Sequence, residues 1–363
     1  MEDKKIRVGI TQGDINGVGY EVILKTLSDP RVYENQAVII YGSAKVAAYH
    51  KKALDLNSVN LTIVNSAREA AFGRISIVNC TDDEVKVELS HSTPIAGKAS
   101  FQALERASQE LKEGLIDVLV TAPINKSNIQ SENFHFPGHT EYLESVFGDG
   151  KSGLMLMVGP IMRIAVATGH IPLSEVPAAL DVPGLLLKLK ILNKSLIRDF
   201  NIIKPRIAVL GLNPHAGDDG LIGKEEKEII AEAVRKAQEQ HICCFGPISA
   251  DGFFGSGDFR KYDGILAMYH DQGLIPFKAL SMESGVNFTA GLPIVRTSPA
   301  HGTAYSIAGQ NVASEESFRE AYYMACDIFK NRLQYAEMTK NPLHKQFIVQ
   351  SGELSDLPLP EEN

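Results

Sequence analysis

The chain has 363 residues, 44% of them hydrophobic and 22% charged, and a net charge of −8. This composition excludes a disordered, collagen-like or coiled-coil chain, and the length suits two domains better than one. The negative charge disfavours a nucleic-acid or anionic-membrane partner. We find no signal-peptide pattern and no apolar run approaching the ~20 residues that cross a bilayer, so we expect a cytoplasmic protein. The four cysteines indicate neither a disulfide framework nor a thiolate metal site.

Short apolar runs alternate with amphipathic segments along the chain. The runs predict strands at residues 6–11, 37–41, 118–121, 154–158, 163–168, 206–210 and 264–269. Most are continuously apolar, which is typical of strands buried on both faces in a parallel sheet. Apolar residues at helical spacing predict two of the intervening helices, one through Phe101, Leu104, Leu111 and Leu115 and one through Ile229, Ile230, Ala233 and Ala237. This alternation predicts an α/β fold with helices on both sides of the sheet.

Two breaks divide the chain, one near residues 123–126 and one near residues 297–301. We predict a discontinuous first α/β domain formed by residues 1–125 and 300–363, because chain termini often lie close together. Residues 126–299 form the predicted second α/β domain. The polar segment after Asn341 is expected to fray.

Five histidines lie in segments rich in glycine or proline: His139, His170, His215, His270 and His301. His170, His215 and His270 directly follow predicted strands, and ligands bind at the carboxyl ends of strands in open α/β sheets. Three imidazoles that converge there would form a divalent-metal site, most naturally for zinc. The alternative is that each is a hydrogen-bonded surface or hinge histidine. Four further histidines are expected to be solvated: His50, His91, His241 and His344.

Several other segments could hold an anion. Residues 13–21 follow a strand and open a helix, so their backbone N–H groups could bind an anion or simply form a tight turn. They match neither a P-loop nor G-x-G-x-x-G, so any dinucleotide would be bound without the usual fingerprint. Candidate cationic clamps for a phosphate or carboxylate are Lys126, Lys278 and Arg296, with Asn287 as a neutral donor. Asp251 could orient a histidine, move a proton or form a turn.

Seven motifs occur in a fixed order: residues 13–21 (GDINGVGYE), 121–126 (TAPINK), 137–141 (PGHTE), 211–217 (GLNPHAG), 267–273 (AMYHDQG), 291–298 (GLPIVRTS) and 301–304 (HGTA). Over roughly residues 6 to 335, the chain resembles the 4-hydroxythreonine-4-phosphate dehydrogenase family of pyridoxal phosphate biosynthesis. It departs from the family's usual pattern at Ile15-Asn16, at Tyr20 and at Ala300.

The resemblance implies an isocitrate/isopropylmalate-dehydrogenase-like fold and a homodimer with its active sites in the interdomain cleft at the dimer interface. It implies NAD or NADP as oxidant and a divalent metal, most naturally zinc, with magnesium and cobalt as alternatives. The implied metal ligands are His170, His215 and His270, contributed from both protomers. The resemblance implies that these three histidines and Lys278 are catalytic. The implied substrate contacts are His139, Thr140, Lys278, Asn287 and Arg296, and His301 and Gly302 are the candidates for dinucleotide contact.

Family members oxidise 4-phosphooxy-L-threonine at C3, and the resulting β-keto acid loses CO2 to give 3-amino-2-oxopropyl phosphate. A related reading is a dehydrogenase of a phosphorylated four-carbon sugar acid, 4-phosphothreonate or 4-phosphoerythronate. Two alternatives come from other functional classes. One is a phosphate acyltransferase, which can share the fold but needs no metal triad, and the other is a non-enzymatic phosphate- or metal-binding module.

Overall fold

The computed structural model describes residues 5–81, 85–150 and 152–342; the segment predicted to fray lies almost entirely outside these residues, as does His344. The described residues form a sheet with the strands β1 Ile6–Thr11, β2 Gln36–Gly42, β3 Leu61–Val64, β4 Arg74–Asn79, β5 Val118–Thr121, β6 Leu154–Val158, β7 Arg163–Val166, β8 Ile207–Leu210, β9 Cys244–Ile248, β10 Gly264–Ala267, β11 Val286–Ala290 and β12 Arg296–Pro299.

The α-helices of the same residues are α1 Gly19–Thr26, α2 Ala44–Ala53, α3 Pro94–Lys112, α4 His139–Phe147, α5 Val176–Ala179, α6 Val182–Arg198, α7 Ala231–Glu239, α8 Ala250–Gly255, α9 His270–Ser281 and α10 Glu316–Met338. Both predicted helices are present. The second predicted helix includes a π-helical turn over Glu226–Ile230 before α7, whereas Leu115 lies beyond the end of α3. Of these helices, none is long and apolar enough to span a membrane.

The strands form one continuous sheet in the order β3-β4-β2-β1-β5-β12-β11-β6-β7-β10-β8-β9. The α/β class is therefore confirmed, but the sheet is mixed rather than parallel. One parallel block contains β1 to β5 with β12, and the other contains β7, β10, β8 and β9. Antiparallel pairs of β12 with β11, β11 with β6 and β6 with β7 join the two blocks at the centre.

The apolar core is divided differently on the two faces of the sheet. Successive strand residues point to opposite faces, so Val38 and Ile40 belong to one cluster while Ile39 and Tyr41 belong to another. The first cluster extends under both strand blocks and includes Leu189 of α6. On the other face, the second cluster packs under α3 and α4, and the third cluster packs under α8 and α9. The division into two domains, with boundaries at residues 125/126 and 299/300, stays a prediction.

The glycine-rich segment after β1 is a buried turn. The amide of Asn16 donates to Asp14 Oδ1 (2.9 Å), and the amides of Gly17 and Val18 donate to the carbonyls of Asp14 (3.2 Å) and Thr303 (3.0 Å). Gly13 has φ +68°, which favours glycine. Because these N–H groups already have partners within the protein, the segment is a tight turn and these groups do not form an anion-binding site.

His50 was expected to be solvated, and that prediction is wrong. The side chain is buried, with Nε2 3.1 Å from the carbonyl oxygen of Ile15 and the ring stacked on Tyr20 at 5.3 Å between centroids. The position on α2 lacks an obvious apolar pattern, so the sequence does not show that the helix packs this face over the turn. Burial lowers the pKa of His50 below its ordinary value.

Candidate active site

A cavity of about 570 Å³ opens on the sheet face between the second and third clusters. Its floor includes Asn287 of β11 and Ser298 of β12, which are direct cross-strand neighbours. Residues of α4 and α9 form its walls. The cavity is lined by nine of the ten residues predicted for the site: His139, Thr140, His170, His270, Lys278, Asn287, Arg296, His301 and Gly302. His215 is the tenth and does not line it.

Arg296 is a buried cation at the start of β12. It is 3% exposed, and its Nε and Nη2 atoms both donate to Oγ1 of Thr121, at 3.0 and 2.7 Å. Its third nitrogen, Nη1, is buried without a hydrogen-bond partner. Burial lowers the pKa of Arg296 to about 10, and Glu141 opposes this shift. The side chain therefore stays charged at neutral pH and presents an unused donor, which an anionic ligand would satisfy.

His139 supplies a neutral imidazole beside this cation. It is the first residue of α4 and is buried, and its Nε2 atom has no partner. Burial, and then the charges of Arg296 and Lys126, lower the pKa of His139 well below its ordinary value. The Oδ1 atom of Asn287 is also buried without a partner. Unpartnered polar atoms of this kind indicate a place for a polar ligand.

Two histidines from the second strand block form a pair at the cavity. His170 follows β7 and His270 begins α9, and their ring centroids are 5.5 Å apart. Nδ1 of His270 lies 2.7 Å from Oδ1 of Asp271, which leaves Nε2 as the free nitrogen of that ring. Burial, followed by the charge of Lys126, lowers the pKa of His170, with Glu141 acting in the opposite direction. Imidazole nitrogens, with one ring oriented by a carboxylate, are the donor type that zinc prefers.

His215 does not join this pair within one chain. It is exposed on the turn after β8, where residues 215–219 all have positive φ. Asp251 of α8 lies within electrostatic range of His215: hydrogen bonds from Ser249 and Gly252, and then the proximity of His215, lower the pKa of Asp251. No three metal-binding side chains of the described residues lie close enough together to hold an ion. One chain therefore supplies two of the three predicted ligands to the cavity.

The segment after β12 lies at the side of the cavity. His301 Nδ1 is 2.9 Å from the carbonyl oxygen of Gly302, and its Nε2 atom is buried without a partner. The hydroxyl of Tyr305 donates to Oδ2 of Asp14 at 2.8 Å, and Asn128 donates to the same oxygen. The glycine-rich turn after β1 thus holds this segment in place.

The cavity is also lined by Lys126, one of the candidate cationic clamps, and by three charged residues to which the sequence analysis gave no role, Glu141, Glu144 and Lys188. Nζ of Lys126 lies 3.4 Å from Nε2 of His170, and Oε1 of Glu141 lies 3.9 Å from Nδ1 of the same ring. Lys188 of α6 also lines the cavity. Glu141 belongs to a motif that could have identified it, whereas Lys188 lies in a repetitive Leu-Lys helix that contains no such signal.

Fold and cavity together are those of an α/β enzyme whose cavity contains one buried arginine and a pair of histidines. Residues 34–325 match the family described as PdxA, pyridoxal phosphate biosynthetic protein PdxA. The chain belongs to this family, and the resemblance seen in the sequence is confirmed.

Three relatives place the chain within the family. It is 59% identical over 359 residues to the 4-hydroxythreonine-4-phosphate dehydrogenase of Bacteroides thetaiotaomicron, covering 99% of this chain and 98% of that protein. The crystal structure of 4-hydroxythreonine-4-phosphate dehydrogenase from Klebsiella pneumoniae has a TM-score of 0.76 and 32% identity, covering 91% of this chain and 99% of that one. A protein of Oceanobacillus iheyensis named D-threonate 4-phosphate dehydrogenase is 35% identical, over 90% of this chain and 98% of that protein.

Proposed function

We propose that this protein is an NAD(P)-dependent oxidoreductase that oxidises 4-phosphooxy-L-threonine at C3, with loss of CO2 from the β-keto acid to give 3-amino-2-oxopropyl phosphate. The names of two of the relatives reported above support this reaction. The observation that carries the proposal is the unpartnered Nη1 of Arg296 at the cavity, beside neutral His139. In a chain of net charge −8, such a buried cation suits a phosphate.

The phosphate is bound at the deep end of the cavity. Arg296 donates from Nη1, and neutral His139 donates from Nε2 when that nitrogen carries the proton. Thr140, Lys278 and Asn287 complete the substrate contacts. Because these groups lie on the regular elements β11, β12, α4 and α9, they fix the reacting carbon relative to the histidine pair.

His170, His215 and His270 would hold a divalent metal, for which we propose zinc. When bound, the ion lowers the pKa of the C3 hydroxyl and stabilises the developing carbonyl oxygen. Asp271 fixes the orientation of His270 through its Nδ1 contact. Since His215 lies apart from the other two in one chain, we propose a homodimer in which His170 and His215 of different protomers serve one site.

NAD or NADP, when bound, would accept the hydride from C3, and the hydroxyl proton would be released. We propose that His301 and Gly302 contact the dinucleotide, because they line the same cavity as the substrate residues. Breaking the C1–C2 bond of the β-keto acid then releases CO2, and protonation of C2 completes the product.

The second candidate substrate is 4-phosphothreonate, which the name of the Oceanobacillus iheyensis relative favours. It has the same phosphate, carboxylate and C3 hydroxyl but a hydroxyl in place of the amino group. Zinc-loaded protein should be assayed for NAD and NADP reduction with both compounds and 4-phosphoerythronate, with the product identified by mass. We expect kcat/KM for 4-phosphooxy-L-threonine to be highest by about tenfold or more; a preference for either sugar acid would replace the proposed substrate.

A further inference from the structure

We infer that Lys126 is the residue that recognises the C1 carboxylate of the substrate, an assignment that rests on the function proposed above. The substrate carries two anions, a phosphate on C4 and the carboxylate that later leaves as CO2. Arg296 and His139 account for the phosphate, but none of the substrate contacts assigned so far is specific to the carboxylate.

The position of Lys126 fits this role. Its side chain is exposed after β5, and Nζ lies 3.4 Å from Nε2 of His170 at the edge of the cavity. That imidazole is the only hydrogen-bond partner of Nζ among the described residues, and none of their carboxylates lies within ion-pair distance of it. The ammonium also lies close enough to His139 to lower the pKa of that side chain further than burial does.

The length of the substrate selects Lys126 over the other cations. Only C2 separates the carboxylate from C3, so the cation that binds the carboxylate must lie beside the histidines that face C3. Lys126 contacts His170 directly. Lys278 lies eight residues after His270 on α9, about 12 Å further along the helix axis, and suits the other end of the substrate.

The test compares two ligands that differ only in the carboxylate. The first is 4-phosphooxy-L-threonine, and the second is 3-amino-2-hydroxypropyl phosphate, in which hydrogen replaces the carboxylate. Calorimetry on zinc-loaded protein without dinucleotide measures both dissociation constants, because no oxidation occurs. The variants are Lys126→Met, Lys126→Arg and, as a matched loss of positive charge at the cavity, Lys278→Met.

We expect the wild type to bind the substrate at least about tenfold more tightly than the analogue, as a charge-assisted hydrogen bond would provide. In Lys126→Met this ratio should fall close to one, and Lys126→Arg should retain part of it. Lys278→Met should weaken the binding of both ligands and leave the ratio of their dissociation constants unchanged. An undiminished ratio in Lys126→Met, an equal loss for both ligands, or a wild type that does not discriminate would each overturn the assignment.

Failure of the proposed function gives a different result. If the wild type does not bind 4-phosphooxy-L-threonine but binds 4-phosphothreonate, the same comparison is made with 4-phosphothreonate and glycerol 3-phosphate, which lacks its carboxylate. The prediction for Lys126 is unchanged, because the carboxylate occupies the same position in both substrates. Zinc content and circular dichroism of each variant verify that the exposed substitution leaves the fold intact.

Discussion

Arg296 is buried in a way that does not favour stability, and we propose that it is adapted to a ligand. A guanidinium that is 3% exposed and has no carboxylate partner among the described residues is unfavourable in the free protein. The bonds to Thr121 satisfy two of its nitrogens, and the third has no hydrogen-bond partner. An anion that binds there gains a strong interaction because it relieves this unfavourable burial.

We predict that Arg296→Met raises KM for the phosphorylated substrate about a hundredfold without lowering the stability of the free protein. Methionine fills the space of the buried stem and removes an uncompensated charge. Steady-state kinetics and thermal unfolding, each with and without phosphate, measure the two effects. Unchanged KM together with a lower melting temperature would make Arg296 a structural residue.

The pH dependence of stability tests the burial of His50. Because burial lowers its pKa, the unfolded chain takes up the proton at a higher pH than the native protein does. Stability is therefore complete above the ordinary histidine pKa and is lost as the pH falls below it. His50→Gln should reduce the slope of unfolding free energy against pH in this range by up to about 1.4 kcal/mol per pH unit.

The matched control for this titration is His241→Gln, at an exposed histidine. Urea unfolding at several pH values between neutral and mildly acid gives the slopes. The wild type and the His241 variant should agree. If the His50 variant also agrees with them, His50 does not contribute to acid destabilisation.

Single residues were predictable where a motif carried them. Nine of the ten predicted site residues line one cavity, because loops that follow strands bring them to one region of the sheet. The positions of Lys188 at the cavity and of His50 in the core were not predictable, since each residue lies on a helix whose packing depends on tertiary contacts. Which histidines approach one another within a single chain is likewise set by the fold, and His215 does not reach the His170–His270 pair.

At the scale of elements, a buried ion cluster fixes α6 and α10 relative to the strand that carries Arg296. Asp199 is fully buried, and it accepts hydrogen bonds from Arg332 of α10 (2.7 Å), Arg198 (2.8 Å) and Ser195 (2.8 Å). Nη1 of Arg332 in turn donates to the carbonyls of residues 293 and 294, just before β12. The start of β12 is thereby held from the helix side.

We predict that Asp199→Ala lowers the free energy of unfolding by about 3–5 kcal/mol, because it leaves two arginines without their buried partner. Urea denaturation measures the loss. Asp258→Ala is the control, since its pair with Lys261 is exposed, and a loss of at most about 1 kcal/mol is expected there. Equal losses in the two variants would contradict the role assigned to the cluster.

Strands with continuous apolar sequence were predictable, and β1, β5 and β6 have the predicted bounds. The five strands that were not predicted have physical reasons to lack that pattern. The strands β3 and β9 are the two edges of the sheet, where burial is incomplete and Pro247 is tolerated in β9. The strands β11 and β12 carry Asn287 and Arg296 on the cavity floor, and β4 is apolar only over a short stretch.

For the whole molecule, the arrangement of the core explains where the site lies. One apolar cluster joins the two strand blocks on one face, while the second and third clusters stay separate on the other. The cavity lies between these two clusters, at the antiparallel centre of the sheet. Groups from both blocks can therefore act on one substrate.

We predict that the metal site is completed only in a dimer. His215→Ala and His170→Ala should each abolish activity and zinc binding while leaving stability unchanged, because both side chains are exposed. Mixed after subunit exchange, the two inactive variants should recover up to about a quarter of wild-type activity, since half of the dimers contain one intact site. His241→Ala should remain fully active.

Subunit exchange must be verified by native mass spectrometry. If heterodimers form and the mixture stays inactive, His170 and His215 do not come from different protomers. In that case the division of the ligands proposed here is wrong.

The most direct measurement of the central claim is NAD reduction with 4-phosphooxy-L-threonine, followed by the absorbance of the reduced nicotinamide, before and after removal of metal by a chelator. The account predicts turnover that is lost on chelation and restored by zinc. Folded, zinc-loaded protein that reduces neither NAD nor NADP with this substrate would contradict the account, as would turnover that is insensitive to metal removal.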